Sequence, residues 1–270
     1  MQSLLFWAAV TAYALATAGF FLGLAFEQPA WRRAAHLVAL AGLAPHAAVI
    51  GLRWAEVGHG PYNTRYEVLS FQAFLLVAGW GILALRSAGV RSLGVLVLPV
   101  AFLLMGFSVS TFGLKKEVPI IFKSWWLVLH IGFAKLFGVS ILLAACTAGA
   151  FLWRRRRPGA LPSLPSQARL DLYAHQFLLS AFLFLGVMIA AGALWANQSW
   201  GRYWGWDPIE TTSLVTWIAF GVILHFRVLH RWEGARMAWL TLVALAFALV
   251  TLYVVAVMVP TIHNSYMVGS

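Results

Sequence analysis

A single cysteine, Cys146, is all the thiol this chain of 270 residues possesses. One thiol forms no internal disulfide and no dithiol redox pair, so any thiol chemistry around this protein belongs to another molecule. Charge is almost as scarce. Charged residues make up 10% of the chain and only 8 are acidic, which excludes an ordinary soluble domain, where about 25% of residues are charged. Long polar stretches are missing too: the connections between apolar runs are too short to hold a soluble domain, and no internal repeat recurs. What is present is apolar, with 62% of positions hydrophobic. Runs long enough to cross a bilayer as helices, roughly 20 residues each, recur eight times, near 4–25, 34–53, 67–86, 92–111, 125–152, 176–195, 212–230 and 237–258. The expected fold is all-α: a polytopic integral membrane protein of about eight transmembrane helices, forming one domain over 1–270. The first run has no basic residue before it and exceeds a signal-peptide core, so it reads as a true span.

A net charge of +11 suggests nucleic acid at first sight, but the distribution points to topology instead. With the loops numbered alternately, one set holds Arg32, Arg33, Arg86, Arg91, the arginines of 154–157, Arg169, Arg227, Arg231 and Arg236. The other holds Arg53, Arg65, Lys115, Lys116, Lys123 and Arg202, while Lys135 falls inside a span. The richer set is expected in the cytoplasm, with the 154–157 run a topology anchor against anionic lipid. Both termini and the loops at 54–66, 112–124 and 196–211 then face outward.

That last loop is the densest feature of the chain, reading W-G-R-Y-W-G-W-D-P-I-E-T from 200 to 211. Trp200, Trp204 and Trp206 so close together are expected to form a flat aromatic platform at the water–lipid boundary, where indole rings are half buried. Gly201 and Gly205 relieve the crowding. Asp207-Pro208-Ile209-Glu210 reads as a helix start, with Asp as N-cap, Pro at the first position and Glu closing a capping box. Ionisable groups within a membrane point to function, so each histidine is weighed. His36, His175 and His230 are expected at the cytoplasmic interface and His59 in an outward turn. His130 lies near the outward end of span five, and His263 follows the end of span eight. His46 and His225 lie inside spans two and seven. Two imidazoles beside an aromatic platform suit axial ligation of haem.

The W-G-x-x-W-x-W-D-P pattern resembles the WWD signature of haem-handling proteins in cytochrome c biogenesis. Its D-P-x-E-T continuation is most similar to the CcsA (ResC) branch of the system II pathway. The resemblance extends over G-H-G-P-Y-N-T-R-Y-E at 58–67, His130, His225 and His263. The family pattern differs at Ile209 and Thr212, and the tail His263-Asn264-Ser265-Tyr266 is one residue longer. The resemblance implies a haem b-handling subunit of a cytochrome c synthase (haem lyase) in the bacterial cytoplasmic membrane. It would act with a CcsB/ResB-like membrane partner, with thiol reductants of the pathway keeping the cysteines of apocytochrome c reduced, and with no nucleic acid. It assigns His130 and His263 as external iron ligands and His225 as a transmembrane ligand. The opposing membrane ligand comes from the partner or from His46. Haem is expected flat on Trp200, Trp204 and Trp206, beside Asp207, presented to a C-x-x-C-H segment.

Two other readings stand beside it. A HemX-like haem-binding membrane regulator shares the topology and lacks synthase activity. A cytochrome b-like electron carrier would use His46 and His225 together as ligands within the membrane.

Overall fold

The computed structural model describes residues 1–115, 118, 122–159 and 163–261. Every element among them is helical, and eight helices are long and apolar enough to cross a membrane. The protein is thus an all-α polytopic membrane protein. Its helices are α1 (Gln2–Ala25), α2 (Pro29–Val57), α3 (Arg65–Arg86), the short α4 (Ala88–Ser92), α5 (Gly94–Ser108), α6 (Trp125–Arg156), α7 (Gln167–Trp200), α8 (Pro208–Leu229) and α9 (Ala235–Leu249). A π-helical turn, Val250–Val255, continues α9 into a last short helix, α10 (Ala256–Met258). Several helices outrun their apolar stretches. α7 has 34 residues where the hydrophobic run covers 176–195, because backbone hydrogen bonding continues past the membrane boundary until a breaker intervenes. That breaker is Gly201, at φ +72, whose N–H donates to the Asn197 carbonyl at 2.9 Å.

The chain packs as two compact units, Met1–Glu117 with Trp153–Ser166, and Val118–Leu152 with Gln167–Ser270. In the first, Phe6, Ala9, Tyr13, Ala16 and Phe20 line one face of α1 and are all buried. Their alternating spacing of three and four is the stripe a helix presents to a neighbour. Small residues let α1 and α2 approach closely, since a Cβ on Gly42 would lie 2.8 Å from the Ala12 methyl and 3.0 Å from the Tyr13 ring. Trp80 is fully buried on α3, donates from Nε1 to the Val90 carbonyl at 2.9 Å, and meets Phe20 and His36 edge to face. α5 begins at Gly94, a position where no side chain fits: a Cβ would stand 2.4 Å from Trp80 and 2.7 Å from Phe20. A helical glycine usually gains stability on becoming alanine. Here Gly94→Ala is expected to lose about 1–3 kcal/mol through overpacking, seen as a lower thermal midpoint in detergent.

In the second unit Phe137, Ile141, Leu178, Leu185, Phe220 and Ile223 form the buried centre. One end is clamped by Asp171 on α7. Its carboxylate pairs with Arg227 of α8 at 2.6 Å and accepts the Gly234 N–H, before α9, at 2.9 Å. Further along, the Thr216 and Thr251 hydroxyls meet at 2.7 Å, and Thr251 donates to the Thr212 carbonyl at 3.2 Å. Threonine hydroxyls of this kind tie helices together where lipid offers no hydrophobic drive.

Candidate functional site

His130 stands on the second turn of α6, against α7. Its Nδ1 lies 2.9 Å from the Met188 carbonyl oxygen. A carbonyl only accepts, so Nδ1 carries the proton and Nε2 the lone pair in the neutral ring. The ring fits because residue 192 is glycine, where a Cβ would sit 2.7 Å from Nδ1. Beyond that notch Trp195 stacks on the imidazole, with ring centroids 6.3 Å apart and planes 24° apart. Met188, Gly192 and Trp195 are spaced four and three apart, so they form one face of α7. Trp195 also meets Phe122 at 5.9 Å and Trp200, edge on, at 4.9 Å. The Ser124 hydroxyl donates to the Gln198 amide oxygen at 2.6 Å, holding the start of α6 to the end of α7. A histidine whose tautomer is fixed by a backbone carbonyl, half buried among aromatic rings, has the arrangement of a metal-ligating imidazole. The residues present therefore fit a haem ligand.

The tryptophan loop differs from the expected platform. Trp200 closes α7, so the true connection is 201–207, and Trp200 and Trp204 share no helical face. Trp204 and Trp206 cross at 88° with centroids 5.8 Å apart, so the three rings do not make one flat floor. Trp206 is 70% exposed and its backbone has φ +57, a left-handed conformation costly for any residue but glycine. Glu210 holds it there: Oε2 accepts the N–H groups of Gly205 at 2.8 Å and of Asp207 at 3.1 Å, one on either side of Trp206. The Asp207 side chain accepts from the Ile209 N–H at 3.0 Å, and Pro208 opens α8 behind it. The cap expected from sequence is thus built, and Glu210 also fixes the loop. Asp207→Ala is expected to cost about 1 kcal/mol of thermal stability while Asp207→Asn costs little, because asparagine caps as well. Thermal unfolding of both variants checks this.

The other predicted ligands separate. His225 is exposed on α8, turned away from the core of its unit. His263 lies outside the described residues. His46 is completely buried in the first unit, and both its ring nitrogens are bonded, Nδ1 to the Tyr13 hydroxyl at 3.0 Å and Nε2 to the Ser70 hydroxyl at 2.9 Å. Phe74 packs edge on against the same ring. Iron ligation by His46 would require one of these bonds to be given up, which counts against its assignment as a ligand and against the cytochrome b-like reading.

The first unit holds a polar cluster that pattern reading missed. Arg53, taken from sequence as an outward surface charge, is 3% exposed and pairs with Glu67, 2% exposed, at 2.9 Å. Arg53 also donates to the Leu114 carbonyl. Glu67 accepts from the N–H groups of Asn63 at 2.9 Å and Thr64 at 3.1 Å, closing the capping box that starts α3. Burial raises the Tyr62 phenol pKa, and the Glu67 charge adds to it. Trp195 and Gly192 were missed as well. Their signal, a glycine three residues before a tryptophan on the face leading to Trp200, is hidden among many apolar residues.

Comparison with known proteins bears on this site. A family model described as cytochrome C assembly protein matches residues 62–263. The cytochrome c biogenesis protein CcsA of Guillardia theta is 29% identical over 227 residues, covering 75% of this chain and 74% of its own. The protein of that name from Gloeobacter violaceus is 29% identical and covers 92% of this chain and 90% of its own. Among solved structures, cytochrome c heme lyase CcmF aligns with a TM-score of 0.70 at 19% identity, a likeness of fold. It covers 93% of this chain, which spans 46% of that longer one.

Proposed function

Because this chain belongs to the cytochrome c assembly protein family, and so serves cytochrome c maturation, we propose that its second unit holds haem b for attachment to apocytochrome c. The observation that carries this reading is His130, with its Nδ1 proton given to the Met188 carbonyl and its ring stacked on Trp195. Nε2 would then be the nitrogen that holds iron, with His263 as a second ligand. The excess of arginine on the other loops supports an outward site and outward termini, in what we take to be the bacterial cytoplasmic membrane.

Each residue then has a task. His130 and His263 would hold the iron, Trp195 and Trp200 wall the imidazole, and Trp206, held outward by Glu210, would offer its ring to haem or to the incoming peptide. Asp207 keeps α8 and the loop in register. Haem supplies two vinyl groups, and each thioether forms by adding a cysteine S–H across one of them, so bond formation consumes no oxidant. His225, exposed on a membrane helix, is placed to share iron with a ligand from a CcsB/ResB-like partner during transfer across the membrane. An exposed imidazole facing lipid alone would be costly without such a use.

The test is co-expression with a CcsB/ResB-like partner and a C-x-x-C-H apocytochrome in a host lacking its own maturation system. Covalent haem on the cytochrome, dependent on both membrane proteins, is the expected result. Haem bound to this chain without any matured cytochrome would favour the HemX-like regulator instead.

A further inference from the structure

A small cavity in the first unit lies beneath the turn after α2, lined by residues that include Arg53, Trp54, His59, Tyr66, Glu67 and Ser70. Two polar atoms on its wall have no hydrogen-bond partner among the described residues, His59 Nε2 and the Tyr66 hydroxyl. Both side chains are more than nine-tenths buried, at 8% and 2% exposure. His59 Nδ1 lies 2.8 Å from the Gly60 carbonyl, an acceptor, so Nδ1 carries the proton and Nε2 turns a lone pair to the cavity. A phenol that can donate and an imidazole nitrogen that can accept thus face one space. Buried groups of this kind are almost always paired, often through water. The third polar wall is Ser70, whose hydroxyl meets His46 Nε2 at 2.9 Å, and His46 Nδ1 meets the Tyr13 hydroxyl at 3.0 Å.

We propose that this cavity binds one water molecule, which joins His59 and Tyr66 to Ser70 and completes a proton-exchange path from the 58–64 turn to His46 and Tyr13. Every member of the chain both gives and takes a proton. In one shift Tyr13 gives its proton to His46 Nδ1, His46 Nε2 gives one to the Ser70 oxygen, Ser70 gives its own to the water and the water gives one to His59 Nε2, leaving a Tyr13 phenolate and a His59 imidazolium. The reverse shift restores both, and label carried by the water reaches the His46 ring as the Ser70 hydroxyl turns between its two neighbours, with no net charge moved. The cavity suits water rather than an anion, because Arg53 is already engaged by Glu67 and the Leu114 carbonyl. Intramembrane histidines joined to hydroxyl groups are the usual parts of such paths.

Tyr66→Phe is the decisive variant, since its ring packs on Phe6 and Phe112 and only one oxygen is lost. If the hydroxyl were truly unpaired, its removal would leave stability unchanged or raise it. With a bridging water, Tyr66→Phe and His59→Leu each lower the thermal midpoint of the full chain in detergent, and the double variant loses less than their sum. In protein labelled with nitrogen-15 at histidine, exchange of the His46 ring proton into D2O slows by about tenfold or more in Tyr66→Phe, towards the rate of local opening. An unchanged or raised midpoint for Tyr66→Phe, or wild-type exchange in that variant, overturns the proposal.

Discussion

His130→Ala is expected to abolish cytochrome maturation when the chain is co-expressed with a CcsB/ResB-like protein and an apocytochrome, while the protein still accumulates in the membrane. The ring is half buried near the start of α6, and its bond to the Met188 backbone carbonyl is one that water can replace. On the proposed reading its removal takes the iron ligand from the site. Added imidazole restores part of the activity by refilling the position. Gly192→Leu gives the same defect without touching the histidine, because even a Cβ there would lie 2.7 Å from Nδ1. Displacing a ligand's orienting shell costs about 10–100-fold in affinity or activity. Imidazole rescues His130→Ala better than Gly192→Leu, since only the first leaves an open cavity. Covalent haem on the apocytochrome, measured per unit of membrane protein, reads all three.

The largest effect on stability is expected from splitting the Arg53–Glu67 pair. Glu67→Ala leaves a guanidinium that is 3% exposed with only the more distant Glu56 carboxylate, 3.9 Å away, as counter-ion, and also removes the acceptor for the Asn63 and Thr64 N–H groups that begins α3. Leaving one partner of a buried pair behind costs roughly 3–5 kcal/mol. Arg53→Met does comparable damage from the other side. Combining Arg53→Met with Glu67→Gln restores much of the loss, because glutamine still accepts from the cap N–H groups and no uncompensated charge remains. Thermal unfolding in detergent of the two single variants and the double variant checks the order. A double variant no more stable than either single one would mean that the pair is not what holds the turn.

Hydropathy alone yields the eight spans, since each carries an apolar run long enough to cross a bilayer. The Asp207–Glu210 cap was also legible, because cap chemistry is local: four consecutive residues fix it. What escaped depends on residues distant in sequence. Arg53 and Glu67 are 14 positions apart, and only the close approach of α2 and α3 turns a nominal loop charge into a buried pair. Whether His46 is a ligand or a structural residue depends on Tyr13 and Ser70, contributed by two other helices. The tryptophan platform failed for a local reason of another kind. Three tryptophans within seven residues suggest a flat platform, but Gly201 ends α7 there and Trp206 takes a left-handed backbone, so the rings turn apart.

The most direct test of the account is the axial ligation of iron in the purified, haem-loaded chain, read by optical and resonance Raman spectroscopy. For the external site, a low-spin, six-coordinate spectrum is expected that becomes five-coordinate in His130→Ala and returns to six-coordinate when imidazole is added. A His130→Ala spectrum identical to that of the unaltered chain would contradict it.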